Sequence, residues 1–138
     1  MNVGKVSLSP GSTQNTGTAA YIIFDALSSF TLNTVDIYPY GATNAVAGTM
    51  TISLDNSSGV SLQTTTVSVI AYTAANPTMQ TVPVNFNITP GTGYRLRFSA
   101  YTGGVTGALR DLTTATPPAV FPYTIPGVVS ITNSSAAG

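Results

Sequence analysis

The sequence predicts an all-β fold: an antiparallel, jelly-roll-like β-sandwich of roughly eight strands. Three observations carry this. Apolar and polar residues alternate at period two through most of the chain, and no useful stretch shows the period of a helix. Clusters of Gly, Pro, Asn, Asp and Ser punctuate the alternating runs at intervals of about 8–12 residues. The length of 138 residues suits a jelly roll better than an immunoglobulin domain of about 100.

Each element follows in order. "YIIFDA" (Tyr21 to Ala26) is a short apolar run, typical of a strand covered on both faces. "LNTVDIYPY" puts Val35 and Ile37 on one face and Asp36 on the other. "TMTISL" points Met50, Ile52 and Leu54 inward, with the threonines and Ser53 outward. "DNSSG" then turns the chain, because Asp, Asn and Gly tolerate left-handed backbone. "TTTVSVI" offers Val67 and Val69. "QTVPVNFNI" offers Val82, Val84, Phe86 and Ile88, and Pro83 marks an edge or bulged strand because it has no N–H to give. "TPGT" reads as a type II turn with positive φ at Gly91. "YRLRFSAY" points Tyr94, Leu96, Phe98 and Ala100 inward, and Arg95, Arg97, Ser99 and Tyr101 outward. "FPYTIPG" reads as a plug over one end of the sandwich, and "VVSIT" as the last strand. The expected core is Phe24, Val35, Ile37, Met50, Ile52, Leu54, Val67, Val69, Val84, Phe86, Tyr94, Leu96 and Phe98. One domain spans 1–132, and 133–138 reads as a linker stub.

Composition limits the chemistry. There is no Cys, His or Glu, so thiol nucleophiles and the commonest general base and metal ligands are excluded. Charged residues are 6% of the chain, against about 25% in an ordinary domain. Hydrophobic residues are 43%, so low charge does not mean disorder. The net charge of zero offers no footprint for nucleic acid or anionic lipid. No apolar run approaches the ~20 residues of a membrane-spanning helix. "MNVGKVSLSPG" lacks the apolar core of a signal peptide. A Thr-, Ser- and Asn-rich exterior suits a mature domain of an exported protein. No cofactor is expected. Asp25, Asp36 and Asp55 are candidates for a structural Ca²⁺, but lack the D-x-D-x-D loop spacing.

The cations are concentrated. Three of the four Lys and Arg residues, Arg95, Arg97 and Arg110, lie within sixteen positions, and Asp111 follows directly. Alternation sets Arg95 and Arg97 side by side on one exposed face, unfavourable unless an acceptor lies between them. Gly103, Gly104 and Gly107 bring Arg110 and Asp111 back towards that face. Two readings stand. In one, Asp111 and loop carbonyls satisfy the arginines internally. In the other, Arg95, Arg97, Arg110 and Asp111 form a polar ligand site, with Tyr101 and Tyr40 as stacking rings. No pair of carboxylates has catalytic spacing, so no enzyme is expected.

The strings "YIIFDALSSFTLNTVDIYPYG", "ITPGTGYRLRFSA", "ALRD" and "FPYTIPGVVSITNS" resemble a β-sandwich module. That module recurs in large secreted or surface-anchored proteins of Bacteroidota. It often stands beside fibronectin type III-like domains and a C-terminal type IX secretion signal. The resemblance covers Tyr21 to Ser134 and is strongest at "GTGYRL" and "PYTIPG". It implies an accessory domain of a protease, glycosidase or adhesin, outside the cell or on its surface, with neighbouring domains of the same polypeptide as partners. It carries no catalytic residues. The type IX signal itself is not in the chain, as expected for an excised domain. The expected function is therefore a non-catalytic extracellular module, monomeric in isolation, that binds a polysaccharide or other glycan. The alternative is a spacer or stalk with no ligand of its own.

Overall fold

Eleven strands and no helix form from the residues described by the structure, a computed structural model covering residues 1–4, 13–110 and 120–135. They are β1 (Thr13–Asn15), β2 (Tyr21–Ala26), β3 (Phe30–Ile37), β4 (Pro39–Tyr40), β5 (Val46–Asp55), β6 (Ser61–Ala71), β7 (Gln80–Ile88), β8 (Gly91–Gly103), β9 (Gly107–Arg110), β10 (Tyr123–Ile125) and β11 (Val129–Ser134). The expected count of about eight is too low. The difference lies in short pieces such as β1, β4, β9 and β10, which are too brief to show an alternating pattern.

One layer is a six-stranded sheet in the order β10-β11-β2-β8-β5-β6. The other consists of two small sheets, β3-β7 and β1-β9-β4. Within each sheet the named strands pair antiparallel. β3 and β4 are nearly one strand. Its first part pairs with β7, and then the Leu109 amide donates to the Tyr38 carbonyl and Pro39 pairs with Ala108. The fold is sandwich-like and does not close into a barrel.

The inward set from both layers makes one core. Phe24, Ile37, Met50, Ile52, Leu54, Val67, Val69, Val84 and Phe86 are buried in it, and Val35, Tyr94, Leu96 and Phe98 pack against it half-buried. Every residue expected in the core is in it or against it. The Phe24 and Tyr94 rings stack with centroids 5.4 Å apart.

Turns fall where small and polar residues permit them. Between β5 and β6 the Asn56 side chain accepts from the Ser58 and Val60 amides, and Gly59 takes φ +81°. Across from Asp25, positive φ falls on Gly93 and not on Gly91 as expected. There Thr92 and Gly93 together oppose Asp25 in a bulge, and Asp25 Oδ1 accepts from the Gly93 amide at 2.8 Å. Pro83 does lie on an edge strand beside a bulge, opposite Thr34. "FPYTIPG" is not a plug: Tyr123 to Ile125 form the outermost strand of the large sheet. Residues 133 and 134, expected in the stub, belong to β11, and the Ser135 amide donates to the Tyr21 carbonyl.

The largest departure from the expected pattern is in β8. Ile52 pairs with Phe98 and Thr51 with Ala100, so Ser99 has no partner on β5. One extra residue reverses the alternation beyond it. Ala100 is therefore exposed, not inward, and Tyr101 packs against the core, not outward.

Candidate functional site

Arg95 and Arg97 do share the outer face of the large sheet, as alternation requires. The acceptor between them is Asp55, at the end of β5. Asp55 pairs with Arg95 and Ser53 with Arg97 across the β5–β8 ladder. Arg97 Nε donates to Asp55 Oδ2 at 2.6 Å. The Asp55 side chain is 3% exposed and that of Arg97 25%, so the guanidinium roofs the carboxylate. Ser53 is buried, against expectation, because it belongs to this network. Its hydroxyl donates to Asp55 Oδ1 at 2.6 Å and stands 3.0 Å from the Ser61 hydroxyl. A buried carboxylate holding one charged and one neutral donor is well satisfied.

Arg95 is held by a different set. Its Nη2 donates to the Ser57 carbonyl at 2.6 Å, fastening the β5–β6 turn. Its guanidinium carbon lies 4.6 Å from the centroid of the Tyr21 ring, within cation–π range. The tyrosine stacked here is thus Tyr21, which pairs with Arg97 on the neighbouring strand.

Tyr101 and Arg97 reach the same loop from opposite faces of β8. Arg97 Nη1 donates to the Thr18 carbonyl at 3.3 Å, and the Tyr101 hydroxyl to the Gly17 carbonyl, also at 3.3 Å. Burial pushes the Tyr101 hydroxyl up to about 12 from its ordinary 10.0. The protonated form is the one the fold favours. Below pH 10 this contribution to stability is intact. Between pH 10 and about 12 the unfolded chain ionises first, so stability falls as pH rises. Urea midpoints measured across this range are expected to drop more steeply for the wild type than for Tyr101→Phe. Parallel curves would contradict the assignment.

Arg110 ends β9, where it pairs with Thr13, so it belongs to the opposite layer. It lines an open hollow of about 350 Å³ together with Asn15, Gly17, Tyr21 and Ser135. Tyr21 is thus shared: Arg95 stacks on its ring, and it borders the hollow that Arg110 lines. Tyr40 stands apart. It pairs with Gly107, three residues before Arg110, on the other side of β9 from β1. Asp111 lies outside the described residues.

The aspartates weighed for Ca²⁺ sit on three different strands with separate partners. Asp25 accepts from the Gly93 amide, Asp36 from the Thr81 hydroxyl, and Asp55 from Arg97 and Ser53. Among the described residues no cluster of three acidic side chains could hold a metal ion.

Asp55, Ser53 and Tyr21 were missing from the sequence-predicted site. A usable signal existed for Asp55. Ser53 and Asp55 share the outward phase of a strand that ends in a carboxylate, in a chain with only four acids. Comparison with protein-family models, with curated proteins and with solved structures finds no match.

Proposed function

We propose that this chain is a non-catalytic structural module, a spacer within a larger secreted or cell-surface protein. One observation supports the reading above others: Arg95 and Arg97, the side chains most suited to catching a ligand, are engaged by the fold itself. Asp55, Ser57 and Thr18 accept their hydrogen bonds, and Tyr21 takes the face of one guanidinium. A charge-poor exterior rich in Thr and Ser is compatible with a surface that contacts neighbouring domains without sticking to them. The resemblance to Bacteroidota surface modules supports the extracellular location. The winding is read as jelly-roll-like, since the chain changes layer between β1 and β2, β2 and β3, β4 and β5, β6 and β7, β7 and β8, β8 and β9, and β9 and β10. The isolated domain is expected to give no signal on a glycan array or in polysaccharide pull-downs. Reproducible capture of one polysaccharide would overturn the spacer as a full account.

A second reading, a carbohydrate-binding module, draws on the hollow beside Tyr21. An aromatic ring and a planar guanidinium on one concave surface suit a sugar ring with an acidic substituent. Under this reading Arg110→Ala and Tyr21→Ala remove glycan binding, and Tyr40→Ala does not. Loss on Tyr40→Ala alone would place the ligand elsewhere.

A further inference from the structure

The large sheet ends at β6 and the β3–β7 sheet ends at β7. A terminal strand presents unpaired N–H and C=O groups, a template for another chain. Here the two terminal strands are joined by side chains. Gln63 on β6 donates from Nε2 to the Asn87 carbonyl at 2.7 Å and accepts the Asn87 amide at 3.2 Å. Gln80 on β7 donates from Nε2 to the Ile70 carbonyl at 2.5 Å and accepts the Ile70 amide at 2.9 Å.

The two clasps are reciprocal and in register. The partner numbers 63 and 87, and 70 and 80, have the same sum, as in an antiparallel hairpin. Each carboxamide supplies one N–H and one C=O, so it stands in for a peptide group of a neighbouring strand. The seam carries two side-chain rungs in place of a backbone ladder. Between them, Pro83 has no N–H to offer on β7. On β6, Ile70 turns its peptide groups away from β5 towards Gln80. By strand alternation Thr64, Thr66 and Ser68 turn theirs the same way. Exposed apolar side chains flank this edge: Leu62 and Ile70 on β6, and Met79 just before β7.

We propose that Gln63 and Gln80 are latches that withhold the β6 edge from a second copy of this chain. With both latches gone, two β6 edges pair antiparallel about a two-fold axis, and Leu62 and Ile70 of each copy are covered in the joint. The occupant is a second copy because the same edge carries both the unpaired peptide groups and the apolar side chains, and an antiparallel joint is self-complementary.

The test is molar mass by light scattering over a hundredfold range of concentration, with amide exchange of β6 measured alongside. Wild type and Gln14→Ala, a control at an exposed glutamine on β1, are expected at the mass of one chain throughout. Gln63→Ala/Gln80→Ala is expected to approach two chains as concentration rises, with Thr64, Thr66 and Ser68 amides exchanging at least tenfold more slowly. Adding Thr66→Lys is expected to return it to one chain. If the double variant does not fold, Gln63→Asn and Gln80→Asn decide, since the shorter amide cannot span the seam. Either one is expected to associate partway. Single-chain mass in every folded variant overturns the proposal, and so does a wild type that already pairs through β6.

Discussion

Arg97→Ala is expected to lower the free energy of unfolding by about 3–5 kcal/mol, the cost of leaving a buried carboxylate without its ion-pair partner. The size follows from the asymmetry of the pair. Asp55 is 3% exposed and without Arg97 keeps Ser53 as its side-chain donor, whereas Arg97, at 25%, already meets solvent. Asp55→Asn is therefore the milder lesion, about 1–3 kcal/mol, because Arg97 can turn outward and the amide still accepts from Ser53. Urea unfolding of both single variants and the double variant measures the coupling directly. A loss below about 1 kcal/mol for Arg97→Ala is the behaviour of an exposed ion pair and would mean that Asp55 does not depend on Arg97. The same variant bears on function. A side chain kept for structure costs stability when removed; one kept for a ligand costs binding and leaves the fold alone.

Phe86→Ala is expected to cost about 3–5 kcal/mol through the cavity it leaves. Phe86 is 2% exposed and pairs with Leu32 next to the β7 bulge. The strands around it are fixed by backbone ladders and by the Gln63 clasp on Asn87, so the void has little freedom to collapse. Leu96→Ala, at a half-buried site on β8, is expected near the low end for a leucine, about 2 kcal/mol. Thermal melts with matched urea titrations order the two. A Phe86→Ala protein as stable as the wild type would mean that β7 faces the other way.

The strands with five or more alternating residues were legible because one face is covered and the other wet. β6 and β7 carry that contrast in full, with every second residue of Val67 to Ala71 and Val82 to Ile88 buried. β8 was legible only as far as Phe98. A bulge leaves no mark in composition, so Ala100 and Tyr101 were assigned to the wrong faces. β1, β4 and β9 span two to four residues and depend on partners far away in the chain. The site was legible as a cluster of arginines but not as a set of contacts. Asp55 precedes Arg97 by 42 positions, and only the β5–β8 register brings them together. The glutamines gave no signal at all, because nothing local distinguishes an amide that reaches a neighbouring strand from one that reaches water.

The unpaired Ser99 has a consequence for how relatives of this chain can differ. Its hydroxyl makes only a marginal contact, 3.5 Å from the Thr51 carbonyl, so the identity of the residue there is loosely constrained. Its count is free as well. Deleting position 99 would leave Phe98 opposite Ile52 and Ala100 opposite Thr51, so the ladder becomes regular and Tyr101 stays on the core face. Beyond the bulge the fit is tight: a Cβ on Gly48 would lie 2.2 Å from the Thr102 oxygen. Homologous sequences should therefore tolerate a one-residue gap at this point and not between Ala100 and Gly103, a freedom written in residue number and not in side-chain chemistry.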